Sequence, residues 1–185
     1  ALVWKLAQSP LTNNLYCAPG NGGIATETLA ANGKTVQCIN TGAEDLDGLL
    51  VFALEKQPDL TVVGPDNTLA LGIVDLFEKN GLKIWGPTKK AAQFESSKAF
   101  SQDFMLRHKI PTAKSGIFSN PAEALSFAKS IEGKCAVKAD GLALGKGVIL
   151  TQNMQEAENA INQVMVDKSF GDAGNHVVIQ EYLDG

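Results

Sequence analysis

Short apolar runs alternate with amphipathic stretches along the first half of the chain. The apolar runs predict β-strands at residues 15–18, 35–39, 60–63 and 82–85. Apolar residues at i, i+3 and i+4 spacing predict helices over residues 45–56 and 69–80. Strands that alternate with helices are typical of an α/β fold with a doubly wound, mostly parallel sheet, in which ligands lie beyond the carboxyl ends of the strands.

The second half of the chain has a different pattern. Helices are predicted to begin at Ser97, Asn120 and Asn153, residue types that cap helix N-termini, and to end near residues 108, 130 and 166. Strands are predicted at residues 135–138, 148–151 and 177–181. Because a short glycine-rich segment separates the first two of these strands, they predict an antiparallel hairpin. This half is therefore predicted to be an α+β sandwich.

The glycine-rich segment has the sequence Gly-Leu-Ala-Leu-Gly-Lys-Gly, with glycines at 141, 145 and 147. A Walker A loop has four residues between its first glycine and its Gly-Lys pair, and Ser or Thr and a helix follow. This segment has three residues between Gly141 and Gly145-Lys146, and a predicted strand follows. Lys138 stands at the end of the preceding apolar run, where an unpaired ammonium is costly to bury. One interpretation is a phosphate-covering loop with Lys138 and Lys146 as its charges. The alternative is a hairpin turn with a solvated lysine.

Two further positions point to ligands. Gly64-Pro65-Asp66 follows the third predicted strand, where a carboxylate could bind an amine or a ribose hydroxyl. Lys98 lies at a predicted helix N-terminus, where the helix dipole disfavours a cation unless a phosphate is bound there. For Gly64-Pro65-Asp66 the alternative is an ordinary turn, and for Lys98 it is a solvated helix lysine. The glycine-rich loop at residues 19–23 could likewise contact a small ligand or be an ordinary turn.

The composition changes this picture little. The chain has 185 residues, 44% of them hydrophobic, and a net charge of −4, enough for one large or two small domains. The mild acidity disfavours a nucleic-acid partner, and no apolar run has the length of a membrane span. With no recognisable signal peptide, we expect a cytoplasmic protein. Cys17, Cys38 and Cys135 are far apart in strand-like runs and are predicted to be buried thiols.

Five segments, in order, resemble the ATP-grasp ligases and, among them, the phosphoribosylamine–glycine ligase (glycinamide ribonucleotide synthetase) family. They are residues 18–23, 63–66, 86–88 with 91–93, 97–100 and 137–148. Residues 180–185 are similar to the family's adenine-side strand. The resemblance implies a doubly wound N-terminal α/β domain at residues 1–97, then the first α+β half of an ATP-grasp domain at residues 98–185.

The implied reaction joins glycine to 5-phosphoribosylamine with ATP, through a glycyl phosphate, and belongs to purine biosynthesis. The implied ATP-binding residues are Lys98, Lys138, Gly141, Gly145, Lys146, Gly147, Gln180, Glu181 and Leu183. By the same resemblance the two lysines at 98 and 138 hold phosphates, residues 141–147 form a flap, and the last three residues meet the adenine edge. Gly64, Pro65 and Asp66 are implied to face phosphoribosylamine.

The chain departs from the family pattern in two places. Asp66-Asn67-Thr68 stands where the family usually has Glu-Ala-Pro, and Gln180 stands where Glu is commoner. Gln180 keeps a hydrogen-bond acceptor but loses the charge. The opening strand is expected before Ala1, and the Mg²⁺ or Mn²⁺ ligands and the glycine site are expected after Gly185. We therefore expect a fragment without metal ligands that is inactive alone, and fusion to further purine-pathway domains stays open.

Three alternatives remain at this stage. Another ATP-grasp ligase or carboxylase would share the lysines and the flap but would depend on bicarbonate or another acid instead of glycine. A dinucleotide-binding oxidoreductase would need an acidic residue at the end of the second strand, where this chain has Asn40. A non-catalytic nucleotide-binding module is the third alternative.

Overall fold

A computed structural model of the chain describes residues 1–142 and 146–183. The chain divides into two compact units, Ala1–Lys89 and Lys90–Gly185. Within the described ranges, no helix is both long enough and apolar enough to cross a lipid bilayer.

The first unit contains two pairs of parallel strands. Strand β1 (Tyr16–Cys17) pairs with β2 (Gln37–Cys38), and β3 (Thr61–Val62) pairs with β4 (Ile84–Trp85). All four lie in the predicted apolar runs, and the parallel pairing agrees with the α/β prediction. Each strand is only two residues long, and in the part of the chain that the structure describes the pairs form separate two-stranded sheets.

One helix of the first unit precedes β1, and the other four lie between its strands. They are α1 (Leu2–Ala7), α2 (Gly22–Ala25), α3 (Leu46–Lys56), α4 (Asp66–Leu71) and α5 (Ile73–Lys79). Helix α3 begins at the N-cap Asp45, whose carboxylate accepts from the backbone N of Gly48 at 3.0 Å. Its buried face and that of α5 form a core with Val63, the residue after β3, around Phe77, which is 2% exposed. This core holds the carboxyl end of β3, where the Gly64-Pro65-Asp66 segment begins.

The prediction of a single helix at residues 69–80 is wrong. The structure has two helices, α4 and α5, which are separated by Gly72. Gly72 adopts φ 101°, and its N–H donates to the carbonyls of Thr68 and Leu69. Glycine adopts this left-handed conformation without steric cost, so it ends one helix and redirects the chain into the next. The apolar spacing continues across the break and conceals it.

The second unit is built on a four-stranded antiparallel sheet with the order β5-β8-β6-β7. The strands are β5 (Ser115–Phe118), β6 (Lys134–Ala139), β7 (Val148–Gln152) and β8 (Val177–Glu181). The predicted hairpin is confirmed, because β6 and β7 pair on either side of the glycine-rich segment, with Lys138 opposite Val148. Strand β8 returns between β5 and β6, and this places Gln180 beside the lysine-bearing strand.

Among the residues that the structure describes, four α-helices belong to this half of the chain. They are α6 (Lys89–Ser96), α7 (Lys98–Arg107), α8 (Pro121–Ser130) and α9 (Met154–Ile161). The predicted caps Ser97, Asn120 and Asn153 are confirmed, since each side chain accepts from a backbone N–H in the first turn. Helix α9 is shorter than predicted because the chain widens into a π-helical turn, Asn162–Val166. A 3₁₀ turn, Gly171–Asn175, leads into β8.

The prediction of three buried thiols is confirmed for one of the three. Cys135 is fully buried in the core of the second unit, but Cys38 is exposed and Cys17 is half-buried. Cys17 and Cys38 are partners in the β1·β2 pair. The prediction assumed that an apolar run is covered on both faces, and a pair of two-residue strands does not cover Cys38.

Candidate functional site

One face of α7 lines a cavity of about 260 Å³ in the second unit. Lys98 is the first residue of α7, and the N-cap Ser97 accepts from the backbone N of Phe100 at 3.0 Å. Residues three, four and seven positions after Lys98 share its side of the helix. The residues that line the cavity are Phe94, Glu95, Lys98, Ser101, Gln102, Met105, Lys138, Val148, Val178 and Gln180. The cavity therefore brings together three predicted site residues, Lys98, Lys138 and Gln180.

Lys138 and Gln180 lie on adjacent strands and meet in this cavity. Lys138 pairs with Val178 in the β6·β8 ladder, so Gln180 is its diagonal neighbour on the same face. The Nζ of Lys138 donates to Oε1 of Gln180. Because an ammonium can only donate, this bond fixes the orientation of the Gln180 amide. The sequence predicted an anionic partner for Lys138, whereas in this structure its partner is a neutral carboxamide.

The other end of the Gln180 amide belongs to a second polar contact. Its Nε2 donates to Oγ1 of Thr112 at 3.3 Å and to Oε1 of Gln102 at 3.5 Å. Gln102 is 3% exposed, and its Nε2 has no hydrogen-bond partner among the described residues. The sequence did not single out Gln102; its spacing of four residues from Lys98 is the signal that could have found it.

The cavity holds two ammonium groups that form no ion pair among the described residues. Burial lowers the pKa of Lys138 below the ordinary lysine value, and the neighbouring charge of Lys98 lowers it further. Across the described residues, no carboxylate lies within 4.0 Å of either ammonium, although Glu95 also lines the cavity. A bound polyanion would relieve this repulsion, so the arrangement suits phosphate groups.

Asp140 and Gly141, at the start of the glycine-rich segment, are hydrogen-bonded to the first turn of α7. Lys98 Nζ donates to the carbonyl of Gly141 at 2.8 Å, and the carboxylate of Asp140 accepts from the backbone N of Ala99 at 3.0 Å. Asp140 was missed in the sequence. The sequence shows a carboxylate two residues after a strand lysine. It does not show the hydrogen-bond partners of that carboxylate, because Ala99 and Ser97 lie 41 and 43 residues away.

The predicted flap is described only at its two ends. Gly141 follows β6 with φ +154°, and buried Gly147 accepts at its carbonyl from the backbone N of Ala139 at 2.8 Å. Lys146 is exposed and does not line the cavity. Gly145 lies outside the described residues.

The two residues predicted to complete the adenine edge lie at the end of β8. Glu181 is bound to the start of β5: its backbone N donates to the carbonyl of Lys114 at 2.9 Å, and its Oε1 accepts from the Lys114 N at 2.7 Å. Leu183 is exposed. Of the two backbone groups of Glu181, the N–H is thus already bonded within the sheet.

The first unit presents a separate polar segment after β3. Gly64, Pro65 and Asp66 are exposed, and Asp66 begins α4 with its Oδ1 accepting from the backbone N of Asn67 at 2.9 Å. The amide of Asn67 donates to Oε1 of Glu44 at 2.7 Å. The structure therefore adds Glu44, a second exposed carboxylate that the sequence did not single out, to the predicted position at the strand's carboxyl end.

A metal site is not formed by the described residues. They contain no group of three or more His, Cys, Asp or Glu side chains arranged to hold a metal ion. The residues that are present therefore do not fit a magnesium or manganese centre by themselves.

Two family models match the chain in succession. Residues 1–95 match the phosphoribosylglycinamide synthetase N domain, and residues 96–185 match the phosphoribosylglycinamide synthetase ATP-grasp (A) domain. These models meet between residues 95 and 96, and the compact units meet between residues 89 and 90. The boundary expected after residue 97 stays a prediction.

The curated relatives include phosphoribosylamine–glycine ligases of several bacteria. The phosphoribosylamine–glycine ligase of Haemophilus influenzae is 49% identical over the whole chain, and that of Vibrio cholerae is 47% identical. In both cases the chain spans 42% of the relative's length.

Solved structures show the same fold at lower identity. The Thermotoga maritima phosphoribosylamine–glycine ligase matches 100% of the chain with 41% of its own, at a TM-score of 0.71 and 24% identity. The biotin carboxylase domain of Hydrogenobacter thermophilus 2-oxoglutarate carboxylase, solved with MgADP and bicarbonate, matches 99% of the chain with 42% of its own, at 0.72 and 23%. Because ligases and carboxylases share this fold, the fold alone does not separate the two reactions.

Proposed function

The chain belongs to the phosphoribosylglycinamide synthetase family, and on that premise we propose that it supplies nucleotide and ribosylamine contacts to an ATP-dependent ligase that joins glycine to 5-phosphoribosylamine. The products are glycinamide ribonucleotide, ADP and phosphate. The observation that carries the proposal is the cavity in the second unit, where Lys98 and Lys138 converge without a carboxylate partner among the described residues.

The proposed chemistry has two steps. The glycine carboxylate attacks the γ-phosphorus of ATP, which forms glycyl phosphate and releases ADP. The amine nitrogen of phosphoribosylamine then attacks the acyl carbon, phosphate leaves with the bonding electrons, and the nitrogen loses a proton. Cations placed around the transferring group stabilise the charge that develops on it, and exclusion of water protects the acyl phosphate from hydrolysis.

Lys98 and Lys138 are proposed to bind the ATP phosphates. Both ammonium groups already donate to neutral oxygen atoms, those of Gly141 and Gln180, so each keeps its full charge for an anion. Residues 141–147, including Gly145 and Lys146, are proposed to close over the phosphates, and Gly147 would be the hinge on the β7 side. Glycine suits a hinge because it tolerates large changes of φ and ψ.

The adenine ring is proposed to lie beside β8. The Oε1 of Gln180 has a second lone pair beyond the one that Lys138 occupies, and this could accept from the adenine amino group. The Glu181 N–H is bonded to Lys114, so its carbonyl is the group proposed for the adenine edge, together with the backbone of Leu183.

Phosphoribosylamine is proposed to bind at the Gly64-Pro65-Asp66 segment. The exposed Asp66 follows β3, and Glu44 lies within reach of the same segment through Asn67. Carboxylates at this position suit ribose hydroxyls and an amine. Mg²⁺ or Mn²⁺ is proposed as a cofactor whose ligands lie outside this chain, and a cytoplasmic location is proposed for the enzyme.

The test is ADP release by the full-length protein that carries this sequence, with ATP, Mg²⁺ and freshly made phosphoribosylamine, with and without glycine. Release that requires glycine and phosphoribosylamine together supports the ligase. Release that requires bicarbonate would instead support a carboxylase. The 185-residue chain alone is expected to give no turnover, and measurable turnover by it would contradict that expectation.

A further inference from the structure

We propose that Asp140 is a positioning residue that locks the start of α7 to the end of β6 and thereby aims Lys98 at the bound phosphates. This inference rests on the proposed function, because it assumes that Lys98 binds phosphate. Asp140 itself is proposed to contact neither substrate nor nucleotide.

The carboxylate of Asp140 satisfies groups at the helix start that would otherwise lack a partner. A helix leaves its first N–H groups without intrahelical acceptors. Here Ser97 Oγ accepts from the N of Phe100 at 3.0 Å, and Asp140 Oδ1 accepts from the N of Ala99 at 3.0 Å. The Ser97 hydroxyl donates in turn to the Asp140 carboxylate at 3.0 Å. The cap of α7 is therefore shared between the helix and the sheet.

The helix reaches back to the same point. Lys98 Nζ donates to the carbonyl of Gly141 at 2.8 Å. The first turn of α7 and the two residues after β6 are therefore hydrogen-bonded to each other in both directions. The backbone N of Asp140 donates to the carbonyls of Ala173 and His176 at 2.8 and 3.2 Å, which fixes Asp140 to the segment before β8. Any rotation of α7 about its N-terminus would break these bonds and move Lys98 away from Lys138.

The partners of Asp140 also explain how a carboxylate can sit close to a phosphate site. It accepts from a helix N-terminal N–H and a hydroxyl, where the helix dipole stabilises negative charge. It does not form an ion pair with Lys98 within 4.0 Å. The Lys98 ammonium thus stays free of a carboxylate, while the position of its helix depends on one.

The experiment measures ATP and adenosine binding by calorimetry to the full-length protein that carries this sequence and to its Asp140→Ala and Asp140→Asn variants. Asp140→Ala removes the acceptor and is expected to weaken ATP binding about tenfold, or about 1.4 kcal/mol, the scale of a hydrogen bond that involves a charged group. Asp140→Asn keeps an acceptor for Ala99 and is expected to restore most of the ATP affinity. Adenosine binding is expected to change in neither variant, because adenosine has no phosphate for Lys98. The matched control is Asp167→Asn, an exposed carboxylate of the same unit.

A second arm tests whether Asp140 acts through Lys98. In a Lys98→Met background, Asp140→Ala is expected to cost little further ATP affinity. Equal losses for ATP and adenosine would show a merely structural role and overturn the inference. Tighter ATP binding by both Asp140 variants would also overturn it, because the carboxylate would then act only by repelling phosphate. If Lys98→Met and Lys138→Met bind ATP as tightly as the original chain, the proposed function fails too; if they weaken binding and Asp140→Ala does not, only the Asp140 inference fails.

Discussion

Replacing Lys138 with Met removes the ammonium from the cavity and keeps an unbranched side chain of similar length. In the structure this ammonium is half-buried on β6, it donates a hydrogen bond to Gln180, and Lys98 repels it. The substitution therefore removes a charge whose proposed partner is the nucleotide. We expect Lys138→Met to weaken ATP binding with little effect on adenosine binding.

The magnitude follows from the contact that is lost. A hydrogen bond that involves a charged group contributes about 1.5–3 kcal/mol, which corresponds to a rise of roughly 10- to 150-fold in the dissociation constant for ATP. The effect on folding is expected to be smaller, because two changes oppose each other. Gln180 loses a donor, while the cost of burying the ammonium beside Lys98 disappears.

Isothermal titration calorimetry with ATP and adenosine measures both affinities, and thermal unfolding measures the change in stability. Lys129→Met is the matched control, because Lys129 is an exposed lysine on α8 of the same unit. An unchanged ATP dissociation constant for Lys138→Met would refute the phosphate assignment. So would an equal loss of affinity in Lys129→Met, because the effect would then be one of net charge.

Four other predictions concern Lys138, its partner Gln180 and the three cysteines. Burial, and to a smaller extent Lys98, lower the pKa of Lys138, so ATP affinity is expected to fall as pH rises through that pKa. Arginine stays charged in this range, so Lys138→Arg should flatten the fall in affinity when ATP binding is measured by calorimetry at alkaline pH. Because the pKa of Lys138 is lowered in the folded chain, the unfolded chain binds more protons between the lowered and the ordinary lysine pKa, so the free energy of unfolding should rise with pH in that window. Gln180→Glu places a carboxylate against Lys138 and should raise its pKa, which an NMR titration of the Lys138 side chain would measure; an unchanged or lower pKa would contradict the contact. A maleimide should label the exposed Cys38 first in the native chain, since burial raises the pKa of Cys17 and Cys135, and peptide mapping that finds equal labelling would contradict the β1·β2 geometry.

Features with local causes could be predicted from the sequence. The hairpin between β6 and β7 follows from two apolar runs around a glycine-rich segment, and the three N-caps follow from Ser or Asn ahead of a helical pattern. The parallel pairing in the first unit follows from strands separated by helical segments, because parallel neighbours need a long crossover. The hairpin and the caps depend on residues close together in the chain, and the parallel pairing depends on the alternation of strands and helices.

Features that depend on distant residues could not be predicted in the same way. Ser97 and Asp140 are 43 residues apart, and Glu44 and Asn67 are 23 apart, so neither pair leaves a periodic signal. The break at Gly72 was missed for a different reason, because apolar spacing continues through it and only the backbone conformation shows it. The family resemblance predicted Lys98, Lys138 and Gln180 as site residues, but it did not indicate that Lys138 and Gln180 are hydrogen-bonded to each other.

The choice of partners explains why this cavity remains suited to an anion. If a carboxylate lay about 4 Å from Lys138, a phosphate would have to replace an interaction of about 4 kcal/mol at an effective dielectric constant of 20. Instead, the acceptors of Lys138 and Lys98 are a carboxamide and a backbone carbonyl, which satisfy hydrogen bonds without cancelling charge. The nearby carboxylate of Asp140 is bonded to the start of α7. The folded chain thus keeps two repelling ammonium groups in place through neutral contacts, and under the proposed function the nucleotide phosphates would be the strongest partners of both.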